Sequence, residues 1–191
     1  MKSALTILAL LSVNLAAFAS VDLGTPSSNT PYERYMAPVR SVMNTLNNSQ
    51  KPSMERVKEL MHQGRAFRYH MANPYTPASP EETARQHQGD CKDKALWLCN
   101  QLNDTSARFV IGKTSRSAGI SHAWVMWQNE GRWWVLDCTL KRDPVAVDSI
   151  PDGRYIPLYS YGKGTCYRHS DTQSNVAAVA SHKNSPVGAN K

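Results

Sequence analysis

The sequence predicts an α+β domain in which a helix bearing a cysteine packs against an antiparallel sheet. Three observations carry this expectation. Gln88-Gly89-Asp90-Cys91-Lys92-Asp93 opens a stretch in which Ala95, Leu98, Cys99 and Leu102 recur at helical spacing. Ser121-His122-Ala123-Trp124-Val125-Met126-Trp127 and Arg132-Trp133-Trp134-Val135-Leu136-Asp137-Cys138 are aromatic and β-branched runs on either side of Gln128-Asn129-Glu130-Gly131. That is the pattern of a β-hairpin. Two further segments with helical periodicity lie upstream of the cysteine.

Taken in order, the chain opens with Lys2, a short apolar run and Ala17-Phe18-Ala19. A positive start, an apolar core and a small-residue site describe a secretory signal peptide over residues 1–19. The run is too short to span a bilayer, which takes about 20 residues. Residues 20–31 are small and polar and read as a flexible lead-in. Tyr35, Val39, Val42, Met43 and Leu46 mark a first helix whose early turns Pro38 ends or kinks. Ser53 caps a second helix carrying Met54, Val57, Leu60 and Met61. Ser79-Pro80-Glu81-Glu82 starts a third, with a cap, proline at the first position and carboxylates in the first turn.

Asp90 is the N-cap of the cysteine helix, and Asp93 complements its positive end. Gly89 marks a backbone conformation or a close approach that a Cβ would forbid. Cys91 therefore stands at a helix start, where unpaired N–H groups favour an anion and hence thiolate. Beyond that helix, Ala107 to Ile111 reads as a strand and Gly112 to Gly119 as a polar connection. In the hairpin a four-residue loop, with Gly131 left-handed, pairs Trp127 with Arg132. His122 and Asp137 then face each other directly, within imidazole–carboxylate reach. A three-residue loop would instead put Cys138 opposite His122. Residues 140–169 hold short apolar stretches split by Pro and Gly, read as edge strands or loops, and residues 170–191 read as a disordered tail.

A cysteine at a helix start, a histidine on a strand and an aspartate on the next strand resemble the transglutaminase-like superfamily. The carrying residues are Gly89-Asp90-Cys91 with Asp93 and Ala95, Ser121-His122-Ala123-Trp124, and Trp134-Val135-Leu136-Asp137. The likeness covers about residues 80–140. It implies a papain-like, transglutaminase-like domain over residues 32–169, with the five tryptophans lining the helix–sheet interface. It implies Cys91 as nucleophile, His122 as general base and Asp137 as the group that orients His122. A thiol acyl-transfer enzyme acting on an amide or peptide carbonyl follows, with hydrolysis as a cysteine peptidase or amidase the leading outcome. Cross-linking by a protein-glutamine transglutaminase and an inactive envelope binding module on the same fold are the alternatives. The Cys91 N–H suits an oxyanion, with Gln86, His87 or Gln88 as assisting side chains.

Composition bounds the partners. The 191 residues carry a formal charge of +7, or +6 after residue 19. The basic residues are scattered, so no nucleic-acid interface is expected, and the partner implied is a protein, peptide or cell-envelope substrate. His87-x3-Cys91 and Cys166-x2-His169 have spacings zinc could use, but there is no Cys-x2-Cys knuckle and no cofactor is expected. With Cys91 a free thiol, one bridge could join two of Cys99, Cys138 and Cys166, either Cys138–Cys166 or Cys99–Cys138.

Overall fold

The computed structural model describes residues 21–71 and 75–170. The signal peptide expected over 1–19 and the tail from residue 171 onward lie outside the described residues.

A 3-10 turn at Glu33–Tyr35 precedes α1 (Ala37–Thr45), with Pro38 in its first turn, where a missing N–H costs nothing. In α2 (Met54–Ala66) Ser53 accepts from the Arg56 N–H, and in α3 (Pro80–Gln86) Ser79 accepts from the Glu82 N–H. α4 (Cys91–Leu102) begins in a capping box built by Asp90 and Asp93. Ala95 to Cys99 and Leu102 are all buried, so α4 is wrapped rather than amphipathic. None of these described helices is long and apolar enough to cross a membrane.

The strands are β1 (Thr25–Ser27), β2 (Arg68–Tyr69), β3 (Gln88–Gly89), β4 (Arg108–Ser115), β5 (His122–Asn129), β6 (Arg132–Leu136), β7 (Val145–Ala146), β8 (Arg154–Gly162) and β9 (Thr165–Arg168). Seven form an antiparallel sheet in the order β1-β9-β8-β4-β5-β6-β7, while β2 and β3 pair in parallel just ahead of Cys91. Side chains alternate along β5: Ala123, Val125 and Trp127 join the core under the helices, and Trp124 and Met126 point to the far face. The architecture is therefore the expected α+β one, the cysteine helix lying on an antiparallel sheet. Of the tryptophans, Trp97, Trp127 and Trp134 pack at the helix–sheet core, whereas Trp124 and Trp133 belong to the opposite face.

Four expectations are corrected. The lead-in at 20–31 contains β1, because Thr25 to Ser27 find free edge groups on β9. β4 runs on through Gly112 to Ser115 instead of breaking into a polar connection at Gly112. β8 is a central strand, not an edge, because its one proline sits where pairing allows it. Pro157 stands beside a bulge, where Ile111 pairs with Tyr159 but Gly112 with Pro157. β9 pairs only from Tyr159 onward, so Pro157 lies outside that ladder. The hairpin loop has two residues, not four: Glu130 (φ 50°) joins Gly131 (φ 75°) in the left-handed region, and Asn129 pairs with Arg132. Two successive left-handed residues match the twist of the flanking strands. A shift of two positions preserves every face, because side chains repeat with period two.

Gly112 stands between His122 on β5 and Pro157 on β8. A Cβ there would meet the Ile156 carbonyl oxygen at 2.2 Å and Trp124 Cη2 at 2.5 Å. Gly112→Ala is expected to destabilise the fold by about 1–3 kcal/mol, as overpacking against backbone does. An unchanged midpoint in urea unfolding would show that this close approach does not exist.

Candidate active site

The site grows from the start of α4, the start of β5 and the chain just past β6. Asp90 accepts from the Lys92 N–H at 3.0 Å, and Asp93 returns to the Asp90 N–H at 3.0 Å. Asp93 also accepts from the Ala78 N–H at 2.9 Å, tying the segment before α3 to the same helix end. Its Cβ lies 2.7 Å from where a Cβ on Gly89 would stand, the close approach that glycine permits. Cys91 is thereby fixed in the first turn, half-buried.

His122 opens β5 and Asp137 directly follows β6. With the two-residue loop they are diagonal rather than direct neighbours, still on one face. Their side chains are 12% and 1% exposed, and His122 Nε2 lies 2.8 Å from Asp137 Oδ2. An ionised carboxylate only accepts, so Nε2 carries the proton and Nδ1 is left for other work. Cys91, at the start of α4, acts on the same ring and raises its proton affinity. The structure thus brings together all three residues singled out in the sequence.

Asp137 collects more donors than the sequence suggested. Oδ2 also accepts from the Tyr155 hydroxyl at 2.8 Å, while Oδ1 accepts from the N–H groups of Thr139 at 3.0 Å and Leu140 at 3.1 Å. Trp124 stacks on the His122 ring (centroids 6.2 Å apart, planes at 24°) and meets Tyr155 edge-on at 5.3 Å. No local sequence signal pointed to Tyr155, which reaches the site only through the placement of β8.

Burial alone would push the His122 imidazolium down, but the hydrogen bonds and charges of Asp137 and Cys91 raise it to about 9. Burial likewise pushes Asp137 up, and its bonds to His122 and Tyr155 overcome this and hold it below the usual carboxylate range. The four cysteines are all free thiols, so neither of the two possible bridges forms. Burial drives Cys99 well above the ordinary thiol range, and burial together with the Asp137 charge pushes Cys138 up to about 12. Cys138 faces away from the site, its thiol 3.8 Å from the Lys94 carbonyl oxygen.

The side chains suggested as oxyanion donors are engaged with other groups. Gln86 donates to Glu82 and Gln88 to Gln86, while the His87 ring packs edge-on against Phe67 at 5.6 Å. The two zinc spacings do not converge either. His169 Nε2 lies 2.9 Å from Ser160 Oγ, and the Cys166 thiol donates to the Ser27 carbonyl at 2.8 Å. Among the described residues no three His, Cys, Asp or Glu side chains are grouped so as to hold a metal ion.

A family model for the transglutaminase-like superfamily matches residues 40–138, just over half of the 191 residues and spanning Cys91, His122 and Asp137. The chain belongs to that superfamily. Solved structures similar to it include Legionella pneumophila LapG, at 18% identity and TM-score 0.52, covering 80% of this chain and 86% of that one. A calcium-bound form of Legionella pneumophila LapG matches at 17% identity and TM-score 0.50, over 72% of this chain and 77% of that one. At such identities the likeness is one of fold. Comparison with curated proteins returned no match.

The calcium in that relative invites a test of the acidic groups beside Cys91. Asp90 Oδ1 and both Asp93 oxygens accept backbone N–H groups, and Asp90 Oδ2 pairs with the Lys92 ammonium. Lys92 Nζ also lies 3.9 Å from Asp93 Oδ1. Calcium takes six to eight oxygen ligands, and here the Lys92 ammonium stands against both carboxylates where such an ion would have to sit. Asp90 and Asp93 do not fit a calcium ion.

The His122 shift fixes a pH dependence. A group whose pKa is raised on folding stabilises the fold fully below its unfolded value, here 6.5, and loses that contribution as pH rises through about 9. The unfolding temperature of wild type is therefore expected to fall between these limits more steeply than that of Asp137→Asn. Parallel profiles over that window would refute the charged pair.

Proposed function

We propose that this chain is an exported thiol acyl-transfer enzyme in which Cys91 is the nucleophile, His122 the general base and Asp137 the orienting carboxylate, and that it hydrolyses a peptide or amide bond. The observation that carries this reading is His122 Nε2 at 2.8 Å from the buried Asp137 carboxylate, with Cys91 acting on the same ring from the start of α4. A nucleophile, a base in hydrogen-bond reach and a third group holding the base are the requirements of such catalysis. Export rests on the N-terminal pattern of residues 1–19.

In the proposed reaction the thiol proton passes to His122 Nδ1 and Cys91 Sγ bonds to the carbonyl carbon. The oxyanion that forms lies at the positive end of α4, where the Cys91 N–H can donate to it. His122 gives its proton to the leaving amine as the C–N bond breaks, leaving a thioester. Water, deprotonated by His122, then releases the acid and restores the thiol. Asp137 keeps the proton of Nε2 in place throughout, so that Nδ1 remains the exchanging nitrogen. Because a Lys92 ammonium already serves Asp90 and Asp93, no calcium enters this scheme.

Two outcomes test it. Iodoacetamide at about pH 6 is expected to label Cys91 selectively over buried Cys99 and Cys138, and His122→Ala to slow that labelling about tenfold or more. Equal rates in the two proteins would end the Cys–His reading. Secondly, EGTA should change neither the labelling rate nor the unfolding temperature; a rise in unfolding temperature with calcium chloride, reversed by EGTA, would restore a metal requirement. Cleavage fragments rather than cross-linked bands from envelope protein substrates would mark hydrolysis over transfer to an amine.

A further inference from the structure

Tyr155 holds a backbone conformation that its residue type disfavours. Its φ of 47° is left-handed, where a bulky side chain is a genuine outlier, and such strain persists only where the surroundings enforce it. It follows directly on a tight turn, in which the Arg154 N–H donates to the Pro151 carbonyl at 3.2 Å and Gly153 is also left-handed. The residue is 9% exposed, and its hydroxyl is spent on one acceptor, Asp137 Oδ2, at 2.8 Å. The ring meets Trp124 edge-on at 5.3 Å, and Trp124 in turn stacks on His122.

We propose that Tyr155 is a positioning residue for the His122–Asp137 pair, its hydroxyl fixing the Asp137 carboxylate and its ring bracing the tryptophan on which His122 rests. The inference rests on the catalytic reading of that pair and names a fourth member of the site. The geometry separates the hydroxyl from mere packing. Oδ1 is held by two backbone N–H groups, and Oδ2 would otherwise be held by the imidazole alone. With Tyr155 on Oδ2 the carboxylate is pinned at both oxygens and presents a fixed acceptor to Nε2. A phenylalanine would fill the same space against Trp124 and leave Oδ2 to swing.

The ionisable groups around the pair come from every neighbouring element. Cys91 and Lys94 act on it from α4 and Arg154 from β8, Cys138 at the next position in the chain faces away, and Lys141 Nζ lies 5.7 Å from the centre of the Tyr155 ring. Burial first, and then the Asp137 charge, push the Tyr155 phenol up, so the hydroxyl stays a donor across the working pH range. Deleting it therefore removes a hydrogen bond without removing a charge.

The test is the titration of the His122 ring, followed by NMR, in wild type, Tyr155→Phe and Tyr155→Leu, with Cys91 labelling rates measured on the same proteins and on His122→Ala. Positioning predicts that Tyr155→Phe folds as wild type yet lowers the His122 midpoint, weakening its proton affinity about tenfold, and slows labelling. A midpoint unchanged or raised in Tyr155→Phe, with only Tyr155→Leu losing thermal stability, would overturn the proposal and leave a packing residue. A lowered His122 midpoint, with Cys91 labelling insensitive to His122→Ala, would uphold Tyr155 as the clamp of the pair and sink the catalytic reading instead.

Discussion

The site depends on burying one carboxylate without leaving it in want of a partner. Asp137 is 1% exposed, and an ionised group withdrawn from water is tolerable only if hydrogen bonds replace its hydration. Four donors do so, and they come from three separate places: His122 on β5, Tyr155 on β8 and the two N–H groups just past β6. The sheet must bring these segments to one end in register. Gly112 on β4 is what makes this close, with His122 beside it on one strand and Pro157 on the other. Its missing side chain leaves room for the Ile156 carbonyl and the Trp124 indole, which bear directly on Tyr155 and His122.

What could be read from the sequence was what neighbours in the chain decide. Ser53, Ser79 and Asp90 cap their helices because cap chemistry needs only the next three residues. The alternation in β5 gave His122 and Asp137 a common face, and the face survived an error in loop length because an even slip leaves it unchanged. The loop itself was misjudged because Glu130 adopts a left-handed backbone, which its residue type does not announce. β1, the central place of β8 and the role of Tyr155 were illegible for a shared reason. Each is fixed by pairing with strands tens of residues away, and Pro157 inside β8 argued locally against a central strand. Such pairings are the part of a fold that local pattern does not encode.

Lys92 sets the charge beside the thiol. The first turn of α4 carries two carboxylates beside the thiol, and each caps the helix or the segment before it. Left bare, that pair would disfavour a neighbouring anion and attract a cation from solution. The chain supplies a cation of its own, an ammonium two residues beyond Asp90 and covalently unable to leave. Burial pushes Asp93 up, and the backbone N–H groups of Ala78 and Asp90 oppose that shift.

The remaining charge balance falls to His122. On the proposed mechanism the anion formed at Cys91 needs a positive partner close at hand, and the α4 dipole contributes only a partial one. Raising the His122 imidazolium to about 9 keeps that partner charged at neutral pH, and the bond to Asp137 is a principal cause of the rise. Asp137 can act in this way only while it stays ionised in a dry environment, which its four hydrogen bonds secure. The chain of dependence therefore runs from the register of β8 and β4, through Tyr155 and Asp137, to the charge on His122, and from there to the reactivity of a thiol on a different element. On the proposed reading, the reactivity of a cysteine at a helix start is a property of the far strands of the sheet as much as of the helix that carries it.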